Sequence, residues 1–129
     1  MAKDKEGFTV GGDALARHLG INLVEVKPGY AMATMVAKPE LLNDMGLTHD
    51  GAIFTLADTT FGAACNAGAS VALALDINIS FIKAANAGEM LTAVAIEENL
   101  TAQNGLYRME VKNVNNEIVA LAHGRFLRL

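Results

Sequence analysis

Hydrophobic and polar residues alternate with a period of two near the start of the chain. The runs INLVEV at residues 21–26 and AMATMVA at 31–37 both follow this period, and the sequence KPGY separates them. A period of two places alternate side chains on opposite faces of an extended strand. These residues are therefore predicted to form a β-hairpin.

A short helical pattern precedes the hairpin, at residues 13–19. Asp13 can cap its first turn and Gly20 can end it, since these residue types are common at the two ends of helices. The residues expected to face inward are Ala14, Leu15 and Leu19. The pattern predicts a lead-in of one or two turns.

The stretch THDGAIFTLADTTFGAACN, residues 48–66, follows a polar loop at 40–48 and predicts the only long helix. It would have about 17 residues, span about 26 Å and end near Ala67-Gly68. Apolar residues occur nearly all the way round it, at Ala52, Ile53, Phe54, Leu56, Ala57, Phe61, Ala63, Ala64 and Cys65. Such a helix is typical of one enclosed by a curved sheet.

The second half of the chain is predicted to be nearly all strand. Residues 70–83 alternate, and the side chains expected on one face are Val71, Leu73, Leu75, Ile77, Ile79 and Phe81. After the turn AANAGE come alternating runs at 90–99, 106–114 and 117–129, which with residues 70–83 predict a β-meander. The whole order predicts an α+β fold with one long helix and five to six strands.

Composition and charge bound the function. A length of 129 residues fits a single domain over residues 1–129, and 52% hydrophobic residues predict subunit interfaces. The net charge of −4, without a basic cluster, makes nucleic acid an unexpected partner. No apolar run approaches the roughly 20 residues that a bilayer requires, so no membrane partner is expected. The lone Cys65 and a start without a secretory pattern favour a cytoplasmic location.

Common catalytic motifs are missing from the sequence. The histidines His18, His49 and His123 lack metal-ligand spacing, so we expect no metal. No GxSxG, GxGxxG or P-loop sequence occurs. Several classes of hydrolase and nucleotide-binding protein are thereby disfavoured.

The long helix carries one aspartate, Asp58, within its apolar sequence. Thr55, Asp58, Thr59, Gly62 and Asn66 stand at i, i+3, i+4, i+7 and i+11, which places them in one stripe. An ionised carboxylate in a partly apolar wall can remove a proton from water or attack a carbonyl. The same spacing also fits an Asp58 that faces solvent or a subunit interface and is satisfied by Thr55, Thr59 or a cation.

The start of this helix, His49-Asp50-Gly51, offers unpaired N–H groups and the positive end of the helix dipole, which suit a developing oxyanion. Asp50 can equally be the N-cap, a role that leaves its own N–H free. Asn43 lies in a loop that could return over the helix start and offer its amide to a ligand, or could simply serve the turn. His49 can likewise be an ordinary structural residue.

Two stretches together resemble the hotdog-fold acyl-CoA thioesterases, in particular the PaaI type associated with phenylacetate degradation. LLNDMGLTHDGAIFTLADTTFGAACN resembles the family pattern N…HGG…F…AD…A…A…N, and DINISFIKAANAGEMLTAVA resembles its D-x-N-x-x-F-x-x-x-A-x-x-G strand and turn. The resemblance spans roughly residues 15–127. It implies a long helix wrapped by an antiparallel sheet, in agreement with the predicted order of elements.

The resemblance implies hydrolysis of small or aromatic acyl-CoA thioesters, such as phenylacetyl-CoA, to free acid and coenzyme A. Asp58 matches the family's catalytic acid, acting as general base or as nucleophile. Asn43 and His49 match the residues that hold the thioester group. Asp50 takes the position whose backbone N–H completes an oxyanion hole.

The sequence departs from the family pattern at two positions. Asp50 stands where the family usually has Gly, and an added carboxylate near a developing negative charge would be unfavourable unless it turned away as a helix cap. Ala74 stands where some relatives place a Ser or Thr that orients the lytic water, for which Thr59 is a substitute. These departures permit an alternative function, a non-catalytic acyl-CoA-binding protein.

For coenzyme A, the resemblance implies binding at the strand end and turn FIKAANAG and at the helix start. The residues concerned are Gly51, Lys83, Ala84 and Asn86, with Arg125 as a further candidate for phosphate. Charged residues at strand ends can also be simply solvated. The coenzyme belongs to the substrate, so no separate cofactor is expected.

The resemblance also implies a homodimer whose sheets join edge to edge, often paired into a homotetramer. Each active site would be shared between two chains. Asp58 of one chain would then face the His49 loop of the other.

Overall fold

The computed structural model describes residues 13–68 and 70–129. Its elements are α1 (Ala14–Leu19), β1 (Asn22–Lys27), β2 (Tyr30–Val36), a short 3₁₀ helix (Pro39–Leu41), α2 (Asp50–Cys65), β3 (Ala72–Phe81), β4 (Met90–Leu100), β5 (Asn104–Lys112) and β6 (Ile118–Arg128). The predicted α+β fold with one long helix is confirmed. Residues 1–12 and 69 of the predicted domain lie outside the described residues. In the described part, no helix is long and apolar enough to cross a membrane.

The six strands form one antiparallel sheet in the order β1-β2-β4-β5-β6-β3. The predicted meander is right for β4, β5 and β6 but wrong for β3, which lies at the edge beside β6. The connection after β3 is held elsewhere, because Gly88 N–H donates to Ala37 O at 2.8 Å and Asn86 forms a bridge with Leu47. β2 pairs along its whole length with the first part of β4, from Val36↔Met90 to Tyr30↔Ile96.

Helix α2 packs on one face of this sheet. The sheet residues beneath it include four alanines with no exposed surface, Ala31, Ala33, Ala93 and Ala95. Such short side chains let a helix approach a sheet closely. Gly124 makes similar room for Phe61, because a Cβ there would lie 3.0 Å from the Phe61 ring. The expectation that the sheet encloses the helix is confirmed.

Helix α1 begins and ends where the sequence predicts. Asp13 Oδ1 accepts hydrogen bonds from Leu15 N–H at 2.9 Å and Ala16 N–H at 3.3 Å, and Gly20 ends the helix with a φ of 77°. The predicted inward face is right only for Leu19. Ala14 is exposed, Leu15 is 54% exposed, and Ala16 is buried instead. The reason is rotational: Ala16 and Leu19, three residues apart, share the face turned toward the core.

The two edges of the sheet differ. On β3, a β-bulge between Ala74 and Asp76 shifts the register, so the prediction of one apolar face from 71 to 81 is wrong. Ala72, Ile77 and Ile79 belong to the core or pack against it, whereas the exposed side chains are Leu73, Leu75 and Phe81, at 51%, 48% and 43%. The edge strand β1 is shorter, also carries a bulge, and presents a Lys27–Glu25 ion pair of 3.3 Å.

Candidate active site

The first turn of α2 is capped by His49, so the alternative that made Asp50 the N-cap is wrong. His49 has an extended backbone, and its Nδ1 accepts a hydrogen bond from Gly51 N–H at 2.8 Å. The ring reaches this position because Gly51 has no side chain: a Cβ there would lie 3.0 Å from Nδ1. Within residues 13–68 and 70–129, no group accepts a hydrogen bond from Asp50 N–H. The helix start therefore keeps one unpaired donor.

The cap also fixes how His49 can serve a ligand. Because Nδ1 accepts a hydrogen bond, the proton of the neutral imidazole is on Nε2. The side chain is exposed. His49 thus offers a second N–H donor beside that of Asp50.

Asn43 combines the two roles that the sequence left open. Its Oδ1 accepts hydrogen bonds from Met45 N–H at 2.9 Å and Leu47 N–H at 3.1 Å, which shape the loop. The loop is anchored against the helix start by His49 N–H, which donates to Leu41 O at 2.7 Å. No acceptor among the described residues takes a hydrogen bond from Asn43 Nδ2, so this amide group remains available.

Two depressions flank the start of α2. The first has a volume of about 250 Å³; its polar lining residues are Asn43, Thr48, Asp50 and Lys83, and its apolar lining residues are Met45, Leu47, Ile53, Phe81, Ile82, Ala84 and Ala85. The second, of about 260 Å³, lies between α1 and α2 and is lined by Leu15, Leu19, Glu40, Leu41, Leu42, His49, Gly51, Ala52 and Thr55. Asn43 and His49 therefore open into different depressions of one protomer.

The residues predicted for coenzyme A are only partly brought together. Lys83 and Ala84 line the first depression, and Lys83 Nζ is 3.4 Å from Glu117 Oε2 at the surface. Asn86 does not line it, and its Nδ2 donates to Glu89 Oε1 at 3.3 Å. Arg125 lies farther along the β3–β6 pair, where its guanidinium binds both carboxylate oxygens of Asp76. The structure thus does not place Arg125 beside Lys83.

Asp58 lies on the outward face of α2 and is partly buried. Burial raises the pKa of its carboxyl group, and the negative charge of Asp13 raises it further. The structure assigns it no hydrogen bond or ion pair with any residue of the described ranges. Thr55, one of its expected partners, donates to Gly51 O at 2.8 Å instead. The alternative in which Thr55 or Thr59 satisfies Asp58 within one chain is therefore wrong.

Asp58 is also remote from the helix start of its own chain. It follows Asp50 by eight residues, which is about 12 Å along a helix axis. It lines neither of the two depressions. Asp58 and the unpaired N–H donor of Asp50 therefore lie about two helical turns apart.

Thr59 and Ala74 occupy contrasting environments. Thr59 is 9% exposed, and its hydroxyl has no hydrogen-bond partner in the part of the chain that the structure describes. The next residue, Thr60, donates normally to Leu56 O at 2.7 Å. Ala74 is exposed on β3 beside the bulge. The role of Thr59 in orienting water stays a prediction.

Residues 45–120 of the chain match the family model described as Thioesterase superfamily. The chain belongs to this superfamily. It is 37% identical to the acyl-coenzyme A thioesterase PaaI of Escherichia coli, over 91% of this chain and 84% of that protein. The solved structure of E. coli PaaI superposes with a TM-score of 0.89 at 36% identity, covering 92% of this chain and 86% of that one.

A second solved structure is similarly close to this chain. A mutant of the phenylacetic acid degradation protein PaaI from Thermus thermophilus superposes with a TM-score of 0.86 at 31% identity, covering 91% of this chain and all (100%) of that chain. The hotdog fold expected from the sequence resemblance is confirmed.

Three residues that line the first depression, Thr48, Phe81 and Ile82, are not among the site residues predicted from the sequence. Thr48 is 3% exposed and its hydroxyl is unpaired within the described ranges, while Phe81 and Ile82 are largely exposed. One signal was present for the last two. Adjacent apolar residues break the alternation at the end of β3, so one of them must face away from the core.

Proposed function

We propose that this protein is an acyl-CoA thioesterase that hydrolyses small or aromatic acyl-CoA esters, of the phenylacetyl-CoA type, to free acid and coenzyme A. The observation that carries the proposal is the partly buried carboxylate of Asp58, which no residue of the described ranges binds. It is supported by the 37% identity to the E. coli acyl-coenzyme A thioesterase. An unpaired carboxylate is free to act on water or on a carbonyl.

The start of α2 supplies the electrostatic half of the reaction. The thioester carbonyl would accept hydrogen bonds from Asp50 N–H, and His49 Nε2–H and Asn43 Nδ2–H would hold the group in place. Charge develops on this oxygen in the tetrahedral intermediate, where fixed donors and the helix dipole stabilise it most. Gly51 contributes by leaving room for the His49 ring.

Asp58 supplies the proton-transfer half. As a general base it takes a proton from water while the water oxygen bonds to the carbonyl carbon, and Thr59 helps to orient that water. Collapse of the intermediate breaks the C–S bond, and the proton passes from Asp58 to the departing thiolate. As a nucleophile, Asp58 would instead attack the carbonyl carbon and expel coenzyme A as its thiolate, forming a mixed anhydride that water then hydrolyses to the free acid and the regenerated carboxylate. Neither route requires a metal or a separate cofactor.

Coenzyme A would lie in the first depression, toward the turn after β3. Lys83 and Ala84 line it, and the ammonium group of Lys83 suits a phosphate. Asn86 would bind the coenzyme once the hydrogen bond from its Nδ2 to Glu89 Oε1 is broken. We further expect a single domain over residues 1–129, a cytoplasmic location, and neither nucleic acid nor membrane as a partner.

A second copy of the chain would complete the site. The separation of about 12 Å between Asp58 and Asp50 prevents one chain from bringing both to one thioester. The exposed leucines and Phe81 on the edge strand β3 supply an apolar surface for pairing. We infer a homodimer in which Asp58 of one chain faces the His49 loop of the other, with further pairing into a homotetramer.

The activity is tested by incubating the purified protein with a panel of acyl-CoAs and measuring thiol release. We expect Asp58→Asn to lose at least about a hundredfold in kcat, as is typical for a lost acid or base. Glu25→Gln, which removes a carboxylate from β1, serves as control and should keep full activity. Normal turnover by the Asp58 variant would refute the site, and no release from any ester would refute the activity.

The shared site is tested by mixing two inactive variants, Asp58→Asn and His49→Ala, after dissociation and reassociation. Half of the dimers would be mixed, and each would hold one intact site, so about a quarter of the wild-type activity should return. If each site belonged to a single chain, the mixture would stay inactive.

Asp50 favours a second candidate, a protein that binds acyl-CoA without turnover. Its side chain is exposed and is not the helix cap, so its negative charge stands close to the proposed oxyanion. This candidate predicts calorimetric binding of acyl-CoA with no thiol release. The panel assay therefore separates the two functions directly.

A further inference from the structure

The second depression, between α1 and the start of α2, is here named the α1 groove. Its volume is about 260 Å³, and its walls are mostly apolar, with Leu15, Leu19, Leu41, Leu42 and Ala52. Leu15 is 54% exposed although it belongs to a short helix whose other face packs on the core. An apolar wall of this kind suits an apolar ligand.

The α1 groove is continuous with the start of α2. His49 and Gly51, which form the cap, also line the groove. A thioester carbonyl held at the helix start must carry its sulfur to one side and its acyl group to the other. The first depression, with Asp50 and Lys83, is the more polar of the two and suits the coenzyme.

We propose that the α1 groove is the acyl-binding subsite and that Leu15 limits the size of the acyl group; this rests on the proposed function. A cavity of about 150 Å³ is known to hold benzene. The larger groove therefore accommodates an aromatic ring with a short linker. Leu15 is the most exposed of the apolar residues that line the groove, so we expect a longer or wider acyl group to meet its side chain.

The test replaces Leu15 by Ala and by Trp and measures kcat and KM for acetyl-CoA, phenylacetyl-CoA and decanoyl-CoA. Leu15→Ala should lower KM for the bulkiest ester, and Leu15→Trp should raise KM for phenylacetyl-CoA by at least about tenfold, since a misfit of even one methylene in an apolar pocket has an effect of this size. Values for acetyl-CoA should change little, since a two-carbon acyl group does not reach Leu15.

A matched control is available at Leu100, which is 53% exposed and lies at the end of β4. Leu100→Ala and Leu100→Trp should leave the ratios among the three esters unchanged. Equal effects of the Leu15 variants on all three esters, or equal ratio changes in the Leu100 variants, would overturn the proposal. Thermal unfolding of all four variants checks that each is folded.

Failure of the groove and failure of the activity give different results. If the wild type turns over esters but Leu15 does not alter their ratios, only the groove is refuted. If the wild type releases no thiol, the same proteins are titrated calorimetrically with thioether analogues of the three esters. A Leu15-dependent change in their relative Kd would then support the groove, and its absence would refute it.

Discussion

The hydrogen-bonding groups at the two ends of α2 differ in how they are satisfied. At the C-terminal end, Asn66 Nδ2 donates to Gly62 O and Ala72 O, both at 3.0 Å, and Asn66 Oδ1 accepts from Ala72 N–H at 2.8 Å. Arg128 Nη1 adds a hydrogen bond to Cys65 O at 3.2 Å. At its start, the exposed His49 provides the cap, and Asp50 N–H finds no acceptor in the described ranges.

This difference separates stability from function within one helix. Satisfying the last carbonyls of a helix and joining them to a strand stabilises the folded chain. Leaving donors unpaired at the other end forgoes some of that stability and keeps an anion-stabilising site ready for a ligand. We therefore expect substitutions at the C-terminal end of α2 to change the free energy of unfolding, and substitutions at its N-terminal end to change kcat.

The largest effect is expected from Asn66→Ala at the C-terminal end of α2. It leaves the buried N–H and C=O of Ala72 without a partner, so the free energy of unfolding should fall by about 2 to 3 kcal/mol. Urea unfolding measures this, and kcat per folded molecule should stay constant. Asn22→Ala, at an exposed position of β1, is the control and should be neutral. A large loss of kcat with normal stability would contradict the division between the two ends.

The next largest effect is expected from Gly51→Ala at the N-terminal end of α2. An added Cβ would lie 3.0 Å from His49 Nδ1, so the imidazole must move and kcat should fall by about tenfold. Stability should change little, because the gain in helix propensity offsets the weakened cap. Gly62→Ala is the matched control, since a Cβ there has no neighbour within 4 Å. Equal kinetic losses in both variants would refute the role of the His49 ring.

A smaller effect of opposite sign is expected from Asp50→Asn. Removing the carboxylate relieves repulsion of the oxyanion, so kcat should rise by about threefold, while stability falls by about 0.5 kcal/mol as the helix dipole loses its anion. Asp44→Asn, in the preceding loop, should do neither. A fall in kcat on Asp50→Asn would show that this carboxylate helps the reaction.

The smallest effect concerns Asp58 and pH. Because burial raises its pKa above the ordinary value of 3.8, the protonated form is favoured in the folded chain. The protonated carboxyl group of Asp58 stabilises the folded chain below pH 3.8, and this stabilisation is lost as the pH rises through the raised pKa. Asp58→Asn should therefore exceed the wild type in stability at neutral pH by at most about 1 kcal/mol, because water screens a half-exposed charge.

This difference should close in acid. Urea unfolding of wild type and Asp58→Asn from pH 3 to 7 measures it. A constant difference across this range would contradict a raised pKa of Asp58.

The elements of the fold follow from periodicity, and their exceptions follow from single residues. Alternation predicted β2 and β4 because each has one fully buried face, and apolar residues all round predicted the enclosed α2. The bulge near Ala74 could not be read from alternation, since one extra residue reverses the faces without changing composition. Strand order was also out of reach, because it depends on the path of the connection after β3.

The candidate site was predictable in part. Asp58 stood out because a carboxylate is unusual in an apolar helix, and the resemblance supplied Asn43 and His49. The capping residue was predicted wrongly because Asp is the commoner cap, whereas here Gly51 lets an imidazole take its place. Leu15 was predicted to face inward because leucine usually does, and only the packing of Ala16 reveals that it lines a groove.

The contrast between the two sheet edges has a consequence for assembly. The short, kinked strand β1 bears a lysine and a glutamate, and such an edge resists the addition of further strands. In the proposed homodimer, an isologous contact between two β3 strands would leave no unpaired β3 edge on either copy. Strand addition would then stop at two copies, which would protect the protein against open-ended fibre growth.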